Sequence, residues 1–241
     1  MVADVHPAAQ IPARERLIFA LDVPDLAAAK RLVTRLADSV AFYKIGLELA
    51  TSPHYFELLD WLLAQDKKVF TDLKLYDIPA TVSAAVRQLS KSGASFLTVH
   101  GDRAIMEAAA QSKGDELKIL VVTVLTSIAP RDLVEMGIGL TVEELVTLRA
   151  RQAVASGCDG VIASGLEAPA LRKTLGAKAL IVTPGIRPAD GDRADQRRVV
   201  TPTQALEGGA DYLVVGRPIR DATDPYEAAV AIQEEIARAC G

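Results

Sequence analysis

The chain has 241 residues, 50% of them hydrophobic and 24% charged, a length that suits one barrel-sized domain of about 250 residues or two small domains. Its 27 lysines and arginines against 31 aspartates and glutamates leave a formal net charge of −4. That balance excludes a basic footprint for nucleic acid or an anionic membrane and confines any phosphate site to a local basic pocket. The two cysteines, Cys158 and Cys240, have no metal-ligand spacing and read as reduced thiols of a cytoplasmic protein.

Residues 1–15 contain no apolar core and read as a short flexible extension rather than a signal peptide, with residues 16–241 as the folded domain. No stretch approaches the roughly eighteen apolar residues of a membrane span. In chain order, short apolar runs then alternate with longer amphipathic ones. Residues 17–21 read as a strand and 26–37 as a helix, with Asp25 at its N-cap position. The second unit is 40–45 with 53–65, and the third is 68–72 with 80–92, where Gly93 supplies a left-handed C-cap. Residues 96–99 and 103–112, then 119–124 and 141–156, form the next two. Thr141 with Glu144 is a capping box, and Gly157 is a second C-cap. The series closes with 160–163 and 166–175, 180–183 and 202–208, and 212–215 and 225–239.

The strand runs are rich in β-branched and large apolar residues and are too short for helices. Their continuous apolarity predicts burial on both faces, as in a parallel sheet. Aromatics are few and alanine is abundant, so a core of Val, Leu, Ile and Ala is expected. Eight strand–helix units without a dividing linker predict the α/β class and a single (β/α)8 TIM barrel. A doubly wound open sheet usually has fewer units and a GxGxxG after its first strand, where this chain has LDVPDL.

In such a barrel the site lies at the C-terminal strand ends. Asp22, Lys44, Asp72, Lys74, His100, Thr126, Ser127, Arg187, Gly216 and Arg217 all fall there, with Asp77 just beyond. The densest cluster is TDLKLYDIPATV, residues 71–82. Asp72 and Lys74 are two apart, so along a strand they point to the same side. The ammonium keeps the carboxylates ionised, and they keep it available as a proton donor. A surface ion-pair run is the bland alternative.

TPGIRP and VVGRPI put Gly185, Arg187, Gly216 and Arg217 where barrels commonly hold phosphate. Glycines let backbone amides approach the anion and a guanidinium forks onto its oxygens. The bland reading is a tight turn beside a solvated arginine. The polar loop that follows, with Arg187 and Gln196 near its ends, has the length of a lid or of a disordered excursion.

FALDVPD, FYKIGLEL, FTDLKLYDIPATV, TVLTS, VTPGIRP followed by DQRR, and ADYLVVGRPI together resemble the orotidine 5'-monophosphate decarboxylase family, in its bacterial form. The likeness runs from about Arg16 through the eighth strand. It implies decarboxylation of orotidine 5'-monophosphate to uridine 5'-monophosphate, the last step of de novo pyrimidine nucleotide synthesis, without cofactor or metal. By the same resemblance Lys74 protonates C6 of the pyrimidine and Asp72 sits beside the departing carboxylate. Asp77, Ile78 and Thr81 enter the partner's site in a homodimer, and Asp22 and Lys44 hold the ribose. Lys44, Asp72, Lys74 and Asp77 form one charged network, Thr126 and Ser127 face the pyrimidine edge, and Pro184 lines the substrate site. Arg187, Gln196, Gly216 and Arg217 take the phosphate, with Gln196 also reaching the base.

One region departs from the family pattern: HGDRAIMEAA after the fourth strand has an atypical Asp102 and Arg103, so His100 is read as a buried, hydrogen-bonded histidine. Two rivals remain. A magnesium-dependent 3-keto-L-gulonate 6-phosphate decarboxylase shares D-x-K-x-x-D but wants an acidic residue on strand two, where this chain has Lys44, which would repel the cation. An inactive phosphate-binding barrel would need neither Asp72 nor Lys74.

Overall fold

Short apolar runs become strands when both of their faces can be covered, and a ring of helices around a closed sheet does that. The computed structural model describes residues 11–188 and 200–241. Among these residues eight parallel strands close a barrel in sequence order. They are β1 (Leu17–Ala20), β2 (Phe42–Ile45), β3 (Lys68–Leu75), β4 (Phe96–Val99), β5 (Lys118–Val122), β6 (Gly160–Ile162), β7 (Leu180–Thr183) and β8 (Tyr212–Val215). Leu17 pairs with Leu213 to close the ring between β1 and β8. All lie where expected to within two residues, except that β3 runs on to Leu75.

The outer layer is α1 (Leu26–Leu36), α2 (Leu47–Ala50), α3 (Tyr55–Leu63), α4 (Pro79–Leu89), α5 (Arg103–Ser112), α6 (Pro130–Glu135), α7 (Val142–Ala155), α8 (Ala168–Leu175), α9 (Pro202–Glu207), α10 (Arg217–Arg220) and α11 (Pro225–Cys240). The expected caps form. Asp25 accepts from the Ala28 amide at 2.7 Å, and Thr141 and Glu144 exchange hydrogen bonds at 3.2 and 2.8 Å. Gly93 and Gly157 both take left-handed φ. Asp102, atypical for the family pattern, is the N-cap of α5, accepting from the Ile105 amide at 3.2 Å. Single-turn helices α2, α6 and α10 were not expected, because four to six residues are too few to show a helical period.

Residues 1–10 of the expected extension lie outside the described residues. Ala13–Glu15 form a 3-10 turn, and Gln233 on α11 donates to the Arg14 carbonyl at 3.0 Å.

The layer between sheet and helices is mostly aliphatic, as expected, with Phe19, Tyr43 and Tyr55 among it. The barrel interior is not: Phe42, Phe70, Phe96 and Tyr212 crowd it, with ring centroids 5.0 Å apart for Phe42–Phe96 and 5.1 Å for Phe96–Tyr212. The interior of an eight-stranded barrel is wide enough for side chains to fill, and large flat ones fill it with few residues. This aromatic plug forms a floor beneath the strand ends. Phe70 belongs to it, two residues before Asp72 on β3. Among the described residues no helix is long and apolar enough to cross a membrane.

Candidate active site

The mouth is built around an irregularity in β3. Thr71 pairs with Leu97 on β4, but the register shifts before pairing resumes at Leu75 with Val99. Within that interval Lys74 sits at φ 49°, a left-handed conformation that costs a non-glycine residue about 1–2 kcal/mol. Asp72 and Lys74 do share the barrel mouth, but a bulge brings them together rather than the flat two-residue alternation expected from their spacing. Lys74 Nζ lies 2.8 Å from Asp72 Oδ1. Lys44 on β2 lies 3.2 Å from Asp72 Oδ2 and 3.3 Å from Asp22 Oδ1, just past the end of β1. Charges therefore alternate across three neighbouring strands, in the order Asp22, Lys44, Asp72, Lys74.

Asp72 and Lys44 are both buried. Burial pushes the Asp72 carboxyl upward, but the Lys44 and Lys74 charges, with hydrogen bonds from Lys74 and Thr98, outweigh it and hold the group below the usual carboxylate range. Burial likewise lowers Lys44, and the charges of Asp72 and Asp22 outweigh it, so its pKa is raised. Both stay ionised around neutral pH.

The opposite wall comes from β7 and β8. Gly185 takes φ 78°, a turn that a side chain would strain. Arg187 beyond it is buried, its Nη1 donating to the Ile186 carbonyl at 2.8 Å and its amide to Val200 O at 3.0 Å. Gly216 leads into α10, which carries Arg217 and Arg220. Arg220 Nη1 donates to the Asp22 carbonyl at 3.0 Å and its guanidinium forks onto Asp221, so α10 is tied to the β1 end.

Of the residues expected to meet, Asp22, Lys44, Asp72, Lys74, Thr126, Pro184, Arg187, Gly216 and Arg217 line one cavity of about 420 Å³, within the usual range for small-molecule sites. Ser127 is exposed and outside that lining. Asp77, Ile78 and Thr81 stand exposed on the rim, also outside it. Ile78 is extended, as the following proline requires, and the Asp77 carboxylate accepts from the Ile78 amide at 2.6 Å. Within one chain the four-residue network implied by the resemblance therefore contains Lys44, Asp72 and Lys74, joined by Asp22 rather than Asp77. Gln196 and the loop expected as a lid lie outside the described residues.

His100 differs from its expectation. Its ring is half-buried and packs edge-on to Tyr76 at 5.8 Å, with no hydrogen bond from the ring among the described residues. Burial, then the charges of Arg149 and Lys74, hold it below the ordinary imidazole range, so it is neutral near pH 7. Sequence reasoning missed Thr98 and Arg220. Thr98 lies two residues after the inward-facing Phe96 and so points into the barrel, a signal that was available; Arg220 had none.

Fold and mouth together define a (β/α)8-barrel enzyme whose centre is a mixed chain of lysines and carboxylates beside an arginine–glycine wall. The chain belongs to the Orotidine 5'-phosphate decarboxylase / HUMPS family, whose profile matches residues 15–232. It is 57% identical over 227 residues to the orotidine 5'-phosphate decarboxylase of Methylococcus capsulatus, covering 94% of this chain and 93% of the relative. It is 54% identical over 234 residues to that of Stenotrophomonas maltophilia, covering 96% and 97%. A crystal structure of orotidine 5'-phosphate decarboxylase from Lactobacillus acidophilus superimposes with a TM-score of 0.81 at 36% identity, covering 92% of this chain and 99% of that one.

Proposed function

We propose that this enzyme decarboxylates orotidine 5'-monophosphate to uridine 5'-monophosphate without a metal or other cofactor. The observation that carries the reading is the alternating chain Asp22, Lys44, Asp72, Lys74 at the floor of a cavity whose far wall holds Arg187 and Arg217. The 5'-phosphate meets Arg187, Arg217 and the backbone at Gly185 and Gly216. Asp22 and Lys44 take the ribose hydroxyls, and Pro184 and Thr126 border the pyrimidine.

The C6 carboxylate then lies against Asp72. Two like charges about 4 Å apart repel by ~4 kcal/mol near a protein surface, and loss of carbon dioxide relieves that repulsion. The C6–carboxyl bond breaks and its electron pair stays on C6. The Lys74 ammonium stabilises that pair and gives it a proton, and the resulting amine is reprotonated from water. Lys44 stands where the magnesium-dependent alternative would want an acid, and it keeps Asp72 ionised while Lys74 changes charge.

The active unit in this reading is a homodimer with shared sites. Asp77, Ile78 and Thr81 lie on the exposed rim, outside their own cavity, and Tyr76 and Ile78 are 69% and 66% exposed, large apolar groups suited to a partner surface. The reading carries a cytoplasmic location with it, consistent with the free thiols of Cys158 and Cys240.

The test is turnover of orotidine 5'-monophosphate by the purified chain, followed by uridine 5'-monophosphate formation with and without chelator. Equal rates are expected. Absence of turnover, or a rate lost to chelator and restored by magnesium, would overturn the reading. The phosphate wall makes a separate prediction. Arg217→Ala removes a charge-assisted contact of ~1.5–3 kcal/mol, so binding of uridine 5'-monophosphate should weaken roughly ten- to a hundredfold while binding of uridine stays constant. Equal loss for both ligands, measured by calorimetry, would make Arg217 a structural residue.

A further inference from the structure

The pairing of Asp72 with Lys74 depends on a side chain that carries no charge. Two other buried threonine hydroxyls in this barrel bridge strands through carbonyls: Thr71 donates to Phe96 O at 2.9 Å and Thr123 to Ile162 O at 2.9 Å. Thr98 on β4 does something else. It is fully buried and its Oγ1 accepts from the Lys74 amide at 2.9 Å while donating to Asp72 Oδ1 at 2.9 Å. The polarity of the bridge is set by its neighbours. An amide N–H can only donate and an ionised carboxylate can only accept, so the single hydroxyl proton goes to Asp72.

The bridge sits where the β3–β4 pairing is interrupted between Thr71 and Leu75. Without it the Lys74 amide would lose its partner within that gap. A left-handed non-glycine residue persists only where its surroundings over-determine it, and this hydrogen bond is the contact that addresses the strained peptide directly. Asp72 Oδ1 receives both the Thr98 hydroxyl and the Lys74 ammonium, while Oδ2 faces Lys44. One hydroxyl thus sets the backbone of the lysine and the rotation of the carboxylate together.

We propose that Thr98 is the positioning residue of the decarboxylation, holding Lys74 in its left-handed conformation and Asp72 in the matching orientation so that both face C6 of the substrate. The proposal rests on the reading that Asp72 and Lys74 carry the reaction.

Thr98→Val keeps the shape and removes the hydroxyl, whereas Thr98→Ser keeps the hydroxyl. The valine variant should lose kcat by about ten- to a hundredfold, the loss expected when a buried donor–acceptor bridge is removed. Its KM for orotidine 5'-monophosphate and its affinity for uridine 5'-monophosphate should stay within about threefold, because the ribose and phosphate walls are untouched. The serine variant should restore kcat to within about threefold of the parent. Should the valine variant not fold, Thr98→Cys, a weak donor of similar size, is read in its place with the same kcat expectation. Lys74→Ala and Asp72→Asn are run alongside. If both controls stay active, the catalytic reading itself fails. If they are inactive but Thr98→Val turns over at the parental rate, or if Val and Ser lose kcat equally, the positioning role alone is overturned.

Discussion

Lys74→Ala is expected to lower kcat by about four orders of magnitude or more, because it removes both the proton donor and the cation beside the developing charge. The fold should survive. Asp72 keeps Lys44 at 3.2 Å and the Thr98 hydroxyl at 2.9 Å, so no buried charge is abandoned. Binding of uridine 5'-monophosphate should persist, since the groups proposed to grip its phosphate and ribose are unchanged. Single-turnover kinetics beside ligand titration separate the two properties. Near-parental turnover in a folded Lys74→Ala protein would sink the proposed chemistry, whatever the family of the chain.

The second large effect is recovery of activity from two inactive proteins. Asp77 stands on the exposed rim and meets the Ile78 amide rather than Lys74. In a two-fold dimer each rim can supply the other barrel's mouth, an isologous exchange. Lys74→Ala and Asp77→Ala should each be inactive alone. A mixed dimer then has one site lacking both residues and one site intact, so equimolar mixing should restore up to about a quarter of parental activity if subunits exchange statistically. No recovery, once exchange is verified by native mass spectrometry of differently tagged subunits, would mean that each barrel works with its own Asp77.

The barrel was readable because each strand run is apolar on both faces and several of the helices that follow carry a cap written in side chains, such as Asp25 or the Thr141–Glu144 pair. Most mouth residues were readable because the fold rule places strand ends at the site, and Asp22, Lys44, Asp72 and Arg187 are polar residues at the ends of apolar runs. What escaped was conformational. Nothing in the string TDLKL announces that its lysine adopts positive φ, because that backbone is imposed by β4 through Thr98, 24 positions on. Thr98 itself was overlooked because threonine is a common strand former, so FLTV reads as an ordinary strand. Arg220 was overlooked because its partner, the Asp22 carbonyl, lies 198 positions earlier. The aromatic interior escaped for a compositional reason: three of five phenylalanines are concentrated in one small volume, which a whole-chain average hides.

The left-handed lysine on β3 also bears on how this sequence could drift. Selection for folding alone would favour glycine or asparagine at position 74, since these residues adopt that backbone at little or no penalty. The lysine therefore persists against a local pull toward a more stable chain, the common trade between stability and activity. In a lineage released from the need to turn over substrate, nothing would oppose that pull at position 74, and the backbone there would relax as the barrel lost its chemistry.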